Sequence, residues 1–167
     1  MNNDEKVLAD NPARRRAVFG LIGLSLLHPL AACGKSKKPI KSEIEIDVVM
    51  YSFLDRHIFN IYLNGETLGV ASKYGSTSVV TGVTVPMGEQ KLSWRLDGPK
   101  GMARNGETVN MKNKVILKAS DIPTNAHYMG VYLYPDETVE FTFSEYMPGN
   151  SKRGEAIFEE LEKNGRR

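Results

Sequence analysis

The sequence predicts a mainly β fold: an antiparallel β-sandwich or partly open barrel with a short C-terminal helix. Three observations carry that reading. Apolar and polar residues alternate in several short segments, turn residues recur closely between them, and one late stretch spaces apolar residues helically among glutamates.

Each element has its own signal. Ile44, Ile46, Val48 and Met50 alternate with Glu43, Glu45 and Asp47, the pattern of a strand with one buried face. His57–Leu63 and Thr67–Ser72 flank Asn64-Gly65, a strong hairpin signal because both residues tolerate positive φ. Ser76–Val85 is rich in β-branched residues. Gly82 within it marks a bulge. Pro86-Met87-Gly88 reads as a turn into Glu89–Leu96, where Leu92, Trp94 and Leu96 share one side. Trp94 therefore reads as core. Asp97–Gly101 breaks the pattern, and Trp94–Gly106 carries a long loop. A strand near Lys114–Lys118 follows. Tyr128–Tyr134 and Thr138–Ser144 form a second hairpin about Pro135-Asp136-Glu137, with Val139, Phe141 and Phe143 on one face. Ala156, Ile157, Phe158 and Leu161 predict the helix, and Gly165 follows it. The spacing suits seven or eight strands in one domain, Glu43–Arg167.

Ahead of that domain lies a leader. Arg14, Arg15 and Arg16 precede the uncharged run Ala17–Leu27, and small residues follow at Ala31-Ala32. Basic segment, short apolar segment and small-residue cleavage site make a secretory signal peptide, here residues 1–32. The run is too short to span a membrane, which takes about 20 residues. Arg15-Arg16 also resembles part of a twin-arginine signal, although an ordinary basic segment explains it equally. The single cysteine completes Leu30-Ala31-Ala32-Cys33, which resembles the lipobox of bacterial lipoproteins. That resemblance implies cleavage before Cys33, a diacylglycerol on its thiol and an acylated amino terminus. Gly34 stands where an aspartate would imply inner-membrane retention, so the resemblance implies an outer-membrane anchor facing the periplasm. Residues 33–42 then form a lipidated flexible tether, polar, basic and broken by Pro39.

Composition narrows the function. From Cys33 onward the chain has 167 − 32 = 135 residues, with 22 − 4 = 18 basic and 20 − 3 = 17 acidic side chains. That is enough for a disulfide-free core. The near balance gives no basic footprint for nucleic acid. Chemistry is equally sparse. "YGSTS" lacks the second glycine of a nucleophile elbow. Two histidines, His57 and His127, make a poor zinc set. Asp136, Glu137 and Glu140 lack calcium-loop spacing and read as a solvated turn. No cofactor and no catalytic group is predicted. The candidates for partner binding are Asp55 and Arg56, a polar turn between apolar strands, and Met102 and Arg104, in a loop on a rigid scaffold.

"MYSFLDRHIFNIYLNGETLG" resembles a family of small Gram-negative lipoproteins catalogued as a domain of unknown function, through Tyr51, Asp55, Arg56, Ile58, Tyr62, Asn64, Gly65 and Gly69. Val83, Val85, Pro86, Gly88, Leu92 and Trp94 continue the likeness over about half of the mature domain. The cysteine-containing segment common in the family has no counterpart in "YGSTSVVTGVTVP". Genes of that family stand beside type VI secretion phospholipase effectors. The resemblance therefore implies an immunity protein, lipid-anchored and not an enzyme, that binds a secreted lipase. A structural lipoprotein of a secretion or envelope complex is the alternative.

Overall fold

The computed structural model describes residues 42–165. The expected signal peptide, Cys33 and the expected tether up to residue 41 lie outside the described residues. In chain order the strands are β1 (Glu43–Ser52), β2 (Ile58–Leu63), β3 (Glu66–Ala71), β4 (Val80–Pro86), β5 (Gly88–Glu89), β6 (Leu92–Leu96), β7 (Thr108–Asn110), β8 (Ile116–Leu117), β9 (Tyr128–Leu133) and β10 (Val139–Ser144), followed by helix α1 (Lys152–Lys163).

They form two four-stranded sheets, β10-β9-β1-β4 and β3-β2-β6-β7, with β5-β8 as a separate pair. Neither sheet closes into a barrel, so the architecture is a sandwich. Between the sheets lie Ile46, Val48 and Met50 of β1, Ile61 and Leu63 of β2, Val85 of β4, and Trp94 of β6, all nearly inaccessible. These are the alternating positions of each strand, which a pleated backbone delivers to one face.

One pairing departs from the antiparallel expectation. β1 and β9 run parallel, from Asp47 opposite Tyr128 to Ser52 opposite Leu133. Alternation of side chains records burial and not strand direction, and the long connection between these strands permits the parallel return. The first hairpin matches its signal: Asn64 and Gly65 take φ of 53° and 96°. The bulge at Gly82 is also present. Ile46 pairs with Val83 and Val48 with Val80, so Asp47 faces both Thr81 and Gly82. The Gly82 N–H donates to Asp47 Oδ1 at 3.1 Å.

Three predicted strands change length. Ser76–Val85 keeps only a bridge at Ser76 before β4 begins at Val80. Glu89–Leu96 begins at Leu92 because Gln90 turns inward, 1% exposed, and donates to the carbonyls of Pro86 and Gly88. Lys114–Lys118 contracts to β8. β7, with only Val109 buried, has too few residues for a period and was not expected.

The other face of the β1 sheet is covered too. Tyr51 stacks on Tyr132 at 5.3 Å between centroids, and Phe53 on Tyr134 at 5.4 Å. The segment after β10 lies over these rings. The Tyr132 hydroxyl donates to Gly149 O at 2.8 Å, and Tyr51 to Pro148 O. Phe158 of α1 packs on Phe53 at 5.3 Å. Ile157 and Leu161 join that second cluster. The described domain thus has three layers, sheet, sheet and helix.

Candidate functional site

Where β1 and β9 end, two loops meet. The turn Leu54–Arg56 leaves β1, and residues 97–107 connect β6 to β7. Arg56 joins them. Its Nη1 donates to Ala103 O at 2.9 Å, and its Nε lies 3.5 Å from Asp55 Oδ1. The two charges are unequally placed: the Arg56 side chain is 15% exposed and that of Asp55 63%. At 3.5 Å the pair is loose, and a solvated carboxylate contributes little to holding it.

Arg104 is held more firmly. Its Nε and Nη2 grip both oxygens of Glu107 at 2.8 Å, a bidentate fork. Its Nη1 reaches Glu137 Oε1 at 2.5 Å, and Lys112 Nζ takes Glu137 Oε2 at 3.0 Å. Hydrogen bonds from Arg104 and then Lys112 hold the Glu137 carboxyl below its ordinary range. The bond to Arg104 lowers Glu107 likewise, and both carboxylates raise the Arg104 guanidinium. Arg104 and Glu137 both adopt positive φ, 60° and 66°. Two non-glycine residues in that region mark a backbone whose conformation the surrounding contacts dictate.

Between this ion network and α1 lies a cleft of about 520 Å³. Phe53, Leu54, Trp94, Leu96, Ile157 and Leu161 supply its apolar lining, and Asp55, Arg56, Arg104 and Glu137 its charged rim. Three of the four residues proposed from sequence therefore stand together. Met102 does not line the cleft. It is half-buried within its own loop, close against Gly98. Trp94 is 0% exposed, as its strand position predicts. Its Nε1 is the one buried side-chain nitrogen or oxygen without a hydrogen-bond partner among the described residues.

The acidic turn is not simply solvated. Its three carboxylates turn to separate sets of partners. Asp136 bonds Thr138 Oγ1 at 2.7 Å and Arg153 at 2.8 Å. Glu137 binds Arg104 and Lys112, and Glu140 accepts from the Tyr134 hydroxyl at 2.7 Å. Thr138 and then Arg153 pull the Asp136 pKa down to about 2. Burial pushes Tyr134 up to about 12. No set of three His, Cys, Asp or Glu side chains among the described residues could hold a metal. His57 and His127 are both exposed.

Several residues that carried the family resemblance have structural work. Asn64 Nδ2 donates to Gln90 Oε1 at 2.7 Å, and Gln90 in turn binds Pro86 and Gly88. The hairpin motif and the proline-glycine motif thus meet through Gln90, a residue that neither motif contains. They sit at the opposite end of β1 from Asp55 and Arg56. Ten residues of strand separate those ends by about 30 Å.

No family model matches the chain, and no curated protein matches it.

Proposed function

We propose that this chain is a periplasm-facing lipoprotein that binds a protein partner without turnover, and that the partner is a type VI secretion phospholipase effector it neutralises. The lipobox-like Leu30–Cys33 supports the anchor. The junction at Arg56 carries the binding part. A single guanidinium, bonded to Ala103 O and beside Asp55, couples two loops into one surface on a rigid sandwich. The tether enters at Glu43, and this surface lies past Ser52, at the far end of β1. Such a complex takes a standard interface of roughly 1,200–2,000 Å² with a few central anchors.

Two experiments test the reading. Labelling the full chain with palmitate should mark the wild type and not Cys33→Ser, which should leave the membrane fraction. Titrating the full chain against each lipase encoded beside its gene should abolish lipase activity at a one-to-one ratio. Arg56→Ala should weaken that inhibition about tenfold or more. Full retention of every lipase activity, with recovery of envelope-machine components alone, would sink the immunity reading.

A further inference from the structure

The cleft between α1 and the ion network is bordered by one loosely paired cation, Arg56. The Trp94 indole N–H is buried without an acceptor, and Trp94 lines the cleft. At 0% exposure that donor is closed to a ligand, so Trp94 contributes wall to the cleft and not a polar contact. Arg56 lines the same cleft, four-fifths or more buried, with its only carboxylate contact a loose 3.5 Å to a largely solvated Asp55. Arg104 and Glu137 on the rim are already matched. Arg104 is taken by Glu107 and Glu137, and Glu137 by Arg104 and Lys112. Glu160 also lines the cleft, on the exposed side of α1.

The walls around Arg56 are apolar, from Phe53, Leu96, Ile157 and Leu161. At about 520 Å³ the cleft falls within the usual size of a small-molecule site, roughly 300–1,000 Å³. Apolar walls beside one loosely paired cation describe a ligand with an apolar body and an acceptor head. We infer that the cleft binds a small amphiphilic carboxylate, its head on Arg56 and its body against Phe53, Leu96 and the inner side of α1. Asp55 is then the competitor. Its carboxylate occupies Arg56 loosely and swings into solvent when a ligand carboxylate arrives. This site shares Arg56 with the surface proposed above but does not need the protein partner.

Trp94 is the sole tryptophan of the chain, so its emission reports on the cleft directly. The test is a fluorescence titration of the full chain with decanoate, below its micelle concentration, and with decanol as the uncharged control. A saturable change with decanoate is expected, with decanol at least tenfold weaker. Arg56→Gln should weaken decanoate about tenfold, the scale of one charge-assisted hydrogen bond. Asp55→Asn, which spares the loop contact to Ala103, should strengthen it. Equal response to decanol, or no saturable response to decanoate, overturns the site. So does an affinity that Asp55→Asn leaves unchanged or lowers, since competition at Arg56 is then absent.

Discussion

Gly154 illustrates how one residue decides whether two layers meet. It lies in the first turn of α1, where glycine costs about 1 kcal/mol against alanine in helix propensity. It is there for space. A Cβ would stand 2.0 Å from Phe53 Cζ and 2.3 Å from its Cε1. The ring is itself clamped between Tyr134 and Phe158 and has nowhere to go. Gly154→Ala should therefore destabilise by about 1–3 kcal/mol, overpacking winning over propensity, as a lower urea midpoint would show. Gly130 likewise makes room for Thr142 Oγ1, the Tyr132 hydroxyl and Pro148, 2.8, 2.9 and 3.1 Å from where its Cβ would be. Neither glycine was singled out from sequence. A glycine chosen for space leaves no mark in a local pattern, whereas Asn64-Gly65, chosen for φ, announces itself.

At the scale of elements, α1 is held at its start. Ser151 caps the helix, its Oγ accepting from Gly154 N at 3.0 Å, and lies 2.7 Å from the Tyr134 hydroxyl. Arg153 adds the ion pair to Asp136 and sits 3.9 Å over the Tyr134 ring. Asp136 is depressed from 3.8 to about 2. A carboxyl depressed on folding stabilises above its unfolded pKa and loses that contribution as the pH falls through the folded one. The Asp136 contribution is thus complete above about pH 4 and gone below about pH 2. Acid titration by circular dichroism should show loosening of α1 across that window, and Asp136→Asn should remove the step. The effect is small because the pair is half exposed. The open edge of β10 has a comparable device. Asn113 stands in for a neighbouring strand, accepting from Val139 N at 2.7 Å and donating to Val139 O at 2.8 Å. Asn113→Ala should cost about 1–2 kcal/mol by denaturant unfolding, two modest hydrogen bonds lost together.

At the scale of the whole domain, α1 and the segment before it act as a lid on the aromatic face of the sheet. Tyr51, Phe53, Tyr132 and Tyr134 form a contiguous apolar area beneath it. A patch of that kind, uncovered, invites association. Truncation after Ser144 should give a chain that binds a hydrophobic dye and elutes as aggregates. A soluble monomer without dye binding would mean that the helix is not part of the stable unit. The same truncation removes one wall of the cleft, so decanoate binding should be lost with it.

Sequence alone determined the class of fold, the two hairpins, the Gly82 bulge, the core position of Trp94 and the presence of a C-terminal helix. Each follows from local rules: alternation along a pleated strand, positive φ at a turn, recurrence along a helix. The neighbourhood of Asp55 and Arg56 was legible for the same reason, since a charged turn between apolar strands stands out in a linear pattern. Other features needed the tertiary structure. The parallel pairing of β1 with β9 depends on which strands meet, and Phe53 is buried and Tyr51 half-buried because a segment about 100 residues away lies over them. The cleft likewise draws Arg56, Trp94, Arg104 and Leu161 from four separate elements. Burial, ion pairing and the isolation of the Trp94 N–H are set by distances across the fold, which no pattern along a single chain encodes.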